Sequence, residues 1–141
     1  MKVTGLDGFI YSWNLRNHVP FQDDKRPRSR HHLRARRLLK KKFPRDRILE
    51  EVPLAGSHTP QRRSTLYVDF FIPGKTVVIE VHGEQHYSFN EFFHKTKAEF
   101  YKSKKRDQDK LDWCVLNSIN IVVLKYSEPD DVWSERIDGK R

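Results

Sequence analysis

The alternation of apolar and polar positions divides the chain into a basic amphipathic stretch, three strand-length runs, a second amphipathic stretch and a closing apolar run. Over residues 29–43, Leu33, Leu38, Leu39 and Phe43 fall on one flank with Arg and Lys elsewhere, and Pro44 stops the pattern. This predicts a helix with a thin apolar stripe. Residues 48–54 read as a strand, closed by a Gly, Ser, Thr, Pro and Arg loop over 55–64. In the next run Leu66, Val68, Phe70 and Ile72 alternate with Tyr67, Asp69 and Phe71, which predicts a second strand with two distinct faces. Pro73-Gly74 signals a turn, and residues 76–82 form the third strand, ended by Gly83. A helix is predicted over 104–118, its buried stripe made of Leu111, Cys114, Val115 and Ser118. The run 119–126 is apolar almost throughout, as in a strand covered on both faces. Strand, helix, strand in that order predicts a right-handed crossover and a parallel pair.

Residues 1–24 hold Phe9, Tyr11, Trp13 and Phe21 without a period and are expected to form an irregular aromatic arm. Residues 25–141 then make a single domain, with the basic helix at 29–43 and a core over 48–126. Of the 141 residues, 36% are hydrophobic and 12% aromatic, enough to argue against disorder. No run approaches the ~20 apolar residues that cross a bilayer, so no membrane partner is expected. One cysteine, Cys114, excludes an internal disulfide and a Cys-rich zinc site, and places the chain in a reducing, cytoplasmic compartment.

Charge changes the picture more than composition does. The formal net charge is +9, yet residues 25–47 carry twelve basic side chains and one acid, a local +11, and the remainder is -2. Such a block repels itself without a counter-charge, so Arg30, Arg34, Arg37 and Lys41 are expected to meet nucleic-acid phosphates. Three ionisable residues stand inside the apolar strands: Asp69, Glu80 and His82. Such groups are costly to bury unless paired, solvated or metal-bound. An even loop at Pro73-Gly74 makes opposed positions sum to 147, which places all three on one face, with Asp69 and Glu80 as diagonal neighbours about 7 Å apart. Two carboxylates at that spacing, with the Val81 carbonyl between them, suit Mg2+ or Mn2+. The plain alternative is a polar pair on a solvent-facing sheet. His31, His32, His58 and His94 have no partner pattern and are expected at the surface, and Cys114 belongs to the core.

The run Val68-Asp69-Phe70-Phe71-Ile72-Pro73, then Val78-Ile79-Glu80-Val81-His82-Gly83-Glu84-Gln85-His86-Tyr87, then Lys104-Lys105-Arg106-Asp107, resembles the PD-(D/E)xK nuclease superfamily. Within it the chain is most similar to the branch of very short patch repair endonucleases and EDxHD homing endonucleases, and to phage proteins with an "IEYDGEQHY" strand end. The resemblance covers roughly residues 48–126. It implies an α/β, restriction-endonuclease-like αβββαβ core with a central mixed sheet, preceded here by the basic helix. It further implies a metal-dependent endonuclease of phage or mobile-element type that hydrolyses DNA phosphodiester bonds. Asp69 corresponds to the metal-ligating aspartate, Glu80 to the acid of the Glu-x-Lys element, and His82 takes the place of the lysine. His86 matches a nearby active-site histidine, Asp107 the acid that opens the following helix, and Glu50 or Glu51 the upstream acid. The usual acid of the upstream helix and the structural zinc cysteines are absent, so mismatch specificity is not inherited.

On that reading Asp69, Glu80 and Val81 hold the metal, His82 or His86 moves the proton, and Gln85, Lys104 and Arg106 contact the phosphate. Sequence-specific cutting by so small a domain is expected to need a partner or a homodimer. The competing readings are a non-catalytic nucleic-acid-binding module that keeps the nuclease fold and a basic protein that binds RNA.

Overall fold

The N-terminal residues form a hairpin rather than an irregular arm. Lys2–Thr4 (β1) and Ile10–Ser12 (β2) pair antiparallel, Val3 opposite Tyr11. The hairpin is sewn to the domain at Asn117, whose Oδ1 accepts from the Thr4 N–H at 2.7 Å and whose Nδ2 donates to the Thr4 carbonyl at 2.9 Å. Gly56 lets the hairpin come close: it sits at φ +73°, and a Cβ there would lie 2.5 Å from the Tyr11 ring. The structure is a computed structural model describing residues 1–16, 18, 29–87, 94 and 96–139, with the Gln85 side chain outside that set. Phe21 of the expected arm also lies outside the described residues.

Arg30–Lys42 forms α1, capped by Ser29, whose hydroxyl accepts from the His32 N–H at 3.0 Å. Leu49–Pro53 (β3), Tyr67–Ile72 (β4) and Val77–His82 (β5) follow, then Lys97–Leu116 (α2), Asn120–Lys125 (β6) and Asp130–Ile137 (α3). Between Arg30 and Lys125 the order is therefore α, β, β, β, α, β. The strands form one mixed sheet in the order β3-β4-β5-β6, antiparallel except for the parallel β5–β6 pair. The fold is mixed α/β, and the parallel pair follows from the crossover through α2. The periodicity assigns no element to α3, although Pro129 and the first-turn Asp130 and Asp131 are helix-start signals. Among the described residues no helix is long and apolar enough to cross a membrane.

Two cores lie on opposite faces of the sheet. On one, α1 and α3 cover Phe70, Ile72, Val77, Ile79 and Leu124 with Ala35, Leu39 and Trp133. On the other, α2 and the hairpin cover Val52, Val68, Phe71 and Val78 with Trp13, Trp113 and Cys114. Each tryptophan also satisfies its indole: Trp13 donates to the Pro53 carbonyl, Trp113 to that of Ala55 and Trp133 to that of Lys125, at 2.8, 2.8 and 2.9 Å.

Four sequence expectations change here. The helix predicted from 104 begins at Lys97, where Thr96 caps it, so Asp107 lies well inside α2 rather than opening it. Its buried residues are Asp109, Trp113 and Cys114, while Leu111 and Val115 are 39% and 69% exposed. The alternation of β4 breaks at Asp69: Val68 shares a core with Phe71, not with Phe70. Glu51 lies across from this break at φ +51°, a conformation that non-glycine residues rarely adopt, and it turns β3 in step with β4. Finally, His32 and His94 are buried, not at the surface.

Candidate functional site

The β4–β5 hairpin turns through Pro73–Lys75 and a left-handed Thr76, pairing Ile72 with Val77 and Phe70 with Ile79. Opposed positions therefore sum to 149, not 147, and Asp69 stands directly across from Glu80 rather than diagonal to it. At this step the side chains replace the ladder: the Asp69 N–H donates to Glu80 Oε2 at 2.9 Å, and the Val81 N–H donates to Asp69 Oδ2 at 2.8 Å. Two carboxylates are thereby locked into the sheet backbone. Glu80 points toward α2, where Lys110 Nζ lies 2.6 Å from its Oε1. A third of the Asp69 side-chain surface remains exposed. Its loss of hydration and the Glu80 charge push the Asp69 carboxyl well above the usual range. Burial works against the Lys110 ammonium, but Glu80, Asp69 and Asp107 outweigh it and hold its pKa above normal.

The residues present suit a hard divalent cation. Asp69 and Glu80 place two carboxylates beside one ammonium, and loss of hydration followed by the Glu80 charge raises the Asp69 pKa. Oxygen donors of this kind are what Mg2+ and Mn2+ take.

His82 and His86 lie at the end of β5 and in the turn after it, their rings stacked with centroids 4.0 Å apart. His86 Nδ1 is 3.0 Å from Asp107 Oδ2, and His82 Nε2 is 4.0 Å from Asp107 Oδ1. Burial and the neighbouring His86 push the His82 imidazole down to about 4, so it is neutral at pH 7. Burial pushes the Asp107 carboxyl up, yet the His86 hydrogen bond and the charges of His86, His82 and Lys110 hold it below the usual value.

The two upstream acids separate. Glu51 lines a cleft of about 500 Å³ together with Tyr67, Val68 and Asp69. Glu50 turns to the α1 side, where its Oε1 meets His32 Nε2 at 2.7 Å and Arg36 Nη2 at 3.0 Å. His32 itself stacks on Phe70 and brings its Nδ1 within 3.9 Å of Asp69 Oδ1. Of the expected phosphate contacts, Lys104 sits over the Tyr87 and Phe100 rings at 5.0 and 5.7 Å, and Arg106 lines a cleft with His86 and Asp107. Gln85 belongs to the turn, but its side chain is outside the described residues. On α1, Arg30, Arg37 and Lys41 are exposed. Arg34 is engaged within the chain: its guanidinium lies 3.6 Å over the Trp133 ring and bonds Asp130 and the Glu128 carbonyl.

The sequence pattern gives no role at the site to Lys110, His32 or Arg36. Lys110 follows Asp107 at i+3 and precedes Cys114 at i+4, and His32, Ala35 and Leu39 have the i, i+3, i+7 spacing of one helix face.

No family model matches the chain, and no solved structure matches it. Over 68 residues, 48% of this chain and 35% of the relative, it is 32% identical to the uncharacterized protein 033L of Invertebrate iridescent virus 3. Over 65 residues, 46% of this chain and 33% of the relative, it is 32% identical to the uncharacterized protein 307L of Invertebrate iridescent virus 6. The aligned part of the chain spans about a third of the length of these relatives.

Proposed function

We propose that this chain is a metal-dependent endonuclease that hydrolyses DNA phosphodiester bonds on a restriction-endonuclease-like αβββαβ core. The observation that carries the reading is the Asp69–Glu80 pair, two carboxyl groups fixed in the sheet beside the single ammonium of Lys110. Asp69, Glu80 and the Val81 carbonyl would hold a Mg2+ or Mn2+ ion, which when bound would supply Lewis-acid polarisation of the phosphate and lower the pKa of the attacking water. Lys110 offers positive charge where phosphate oxygens gain electron density. His86, oriented by Asp107, is the proton acceptor, and neutral His82 stacks against it. Lys104 and Arg106 flank this centre, and Arg30, Arg37 and Lys41 carry the DNA backbone along α1.

A second reading, a nucleic-acid-binding module without cleavage, is favoured by one observation: both Glu80 oxygens already have donors, Lys110 and the Asp69 N–H. One assay separates the two. Plasmid nicking is measured with Mg2+ and with EDTA, on the wild type and on Asp69→Ala. The nuclease reading expects Mg2+-dependent nicking that falls by about 10²-fold or more in the variant. Undiminished nicking by Asp69→Ala removes this site as its source, and salt-sensitive binding with no cleavage in Mg2+ or Mn2+ selects the module.

A further inference from the structure

A second group of metal-capable side chains lies beside the carboxylate pair. His82 ends β5, His86 closes the turn after it, and Asp107 reaches both from α2. One nitrogen from each ring and one Asp107 oxygen lie within 4.8 Å of one another, and His86 Nδ1 comes within 3.0 Å of Asp107 Oδ2. Zinc bonds of about 2.1 Å put the donors of a tetrahedral site about 3.4 Å apart, so the separations here bracket what an ion requires.

The surroundings favour ligation. The Tyr87 hydroxyl is 3.2 Å from His82 Nδ1. When Nδ1 donates to that hydroxyl, the lone pair is left on Nε2, the nitrogen that faces Asp107. An outer partner of this kind sets the tautomer and ring orientation of a metal-binding histidine. Two clefts reach the trio, one of about 390 Å³ against His82 and Asp107 and one of about 650 Å³ against His86 and Asp107.

We infer that His82, His86 and Asp107 form a binding site for a borderline divalent transition ion of the Zn2+ class, distinct from the all-oxygen set at Asp69 and Glu80. Two imidazoles and one carboxylate suit such an ion, whereas Mg2+ prefers oxygen alone. Binding at this site does not depend on the nuclease reading. Its consequence does rest on that reading: an ion on these nitrogens withdraws them from proton transfer, so Zn2+ suppresses Mg2+-dependent cleavage.

The test is a calorimetric titration of ZnCl2 into the EDTA-stripped full chain, repeated on His86→Ala, Asp107→Asn and Asp69→Asn with circular dichroism as the check on folding. One equivalent is expected to bind the wild type, at least about tenfold more weakly to folded His86→Ala and Asp107→Asn, and unchanged to Asp69→Asn. Co2+ bound to the wild type is expected to give visible d–d absorption that Zn2+ displaces, a measurement that needs no variant. Absence of Zn2+ binding by the wild type overturns the site, as does binding that folded His86→Ala and Asp107→Asn leave intact. Nicking serves as the separate readout: its absence with Mg2+ and Mn2+ overturns the nuclease reading and leaves the Zn2+ result standing.

Discussion

Glu50 and Glu80 are both buried carboxylates of one sheet, and the two faces treat them oppositely. Glu50 meets His32 and Arg36 on the α1 side. Burial alone raises its pKa, but those two partners outweigh it and hold the carboxyl below the usual value. Glu80, on the α2 side, meets one ammonium and a backbone N–H, and it also faces a second carboxylate, Asp69, which it helps push well above its usual value. The first arrangement is compensated and acts as a brace between α1 and β3. The second leaves two carboxyl groups to share one ammonium, so a cation taken up there would favour the ionised form of Asp69.

Substitution is the most direct way to break this contrast. Glu50→Gln takes the negative charge from the buried carboxylate that His32 and the half-buried Arg36 guanidinium meet, and we expect a loss of about 3 kcal/mol in urea-induced unfolding. Asp69→Asn keeps an oxygen for the Val81 N–H and removes one of two opposed charges. It is expected to leave stability unchanged or raise it by about 1 kcal/mol. Equal losses in both variants, measured without divalent metal, would show that the two faces are equally compensated.

Much of the scaffold was legible because period and punctuation agree with the packing. Pro44 follows α1, Pro73-Gly74 opens the hairpin turn, and the strands keep within a residue or two of their expected bounds. What the sequence concealed depends on relations between elements. Asp69 and Glu80 were recognisable as a pair, but their direct opposition depends on a four-residue turn with a left-handed Thr76, which the local sequence does not specify. The spacing predicts a stripe of Leu111, Cys114, Val115 and Ser118, which does not include Lys110. The helix is rotated so that Trp113 and Cys114 face the sheet, and that rotation carries Lys110 to Glu80. His32 stood within a run of basic residues whose charge hid its place on the Ala35–Leu39 face. The hairpin of β1 and β2 has strands of three residues, too short to show a period.

Acid titration sharpens the contrast on the α2 side. The folded-state pKa of His82 is lowered to about 4 from an ordinary 6.5, so the unfolded chain binds the proton more tightly. Its stabilising contribution is therefore complete above pH 6.5 and is lost as the pH falls toward 4. Asp69 has the opposite sign, since a raised carboxyl contributes stability that is lost as the pH rises through its folded value. In EDTA, the stability of the wild type relative to His82→Asn is expected to decline by at most about 3 kcal/mol across that window. A flat difference would mean that His82 is as solvated in the folded chain as in the unfolded one.

The smallest effects are expected on α1, where neighbouring cations have been put to different uses. Arg34 packs over Trp133 and joins α3 to α1, whereas Arg37 and Lys41 project into solvent. Removing a phosphate contact lowers the salt dependence of DNA binding by about one counterion, while removing a packed cation lowers stability. Lys41→Ala and Arg37→Ala are each expected to reduce the slope of log K against log salt by about 1 and to change stability by less than about 0.5 kcal/mol. Arg34→Ala is expected to leave that slope unchanged and to cost about 1 kcal/mol through its lost ring and ion-pair contacts. Fluorescence anisotropy on duplex DNA between roughly 50 and 200 mM salt measures the slopes. A reduced slope for Arg34→Ala would place its guanidinium on phosphate, and unchanged slopes for Arg37→Ala and Lys41→Ala would mean that the exposed flank of α1 is not where DNA lies.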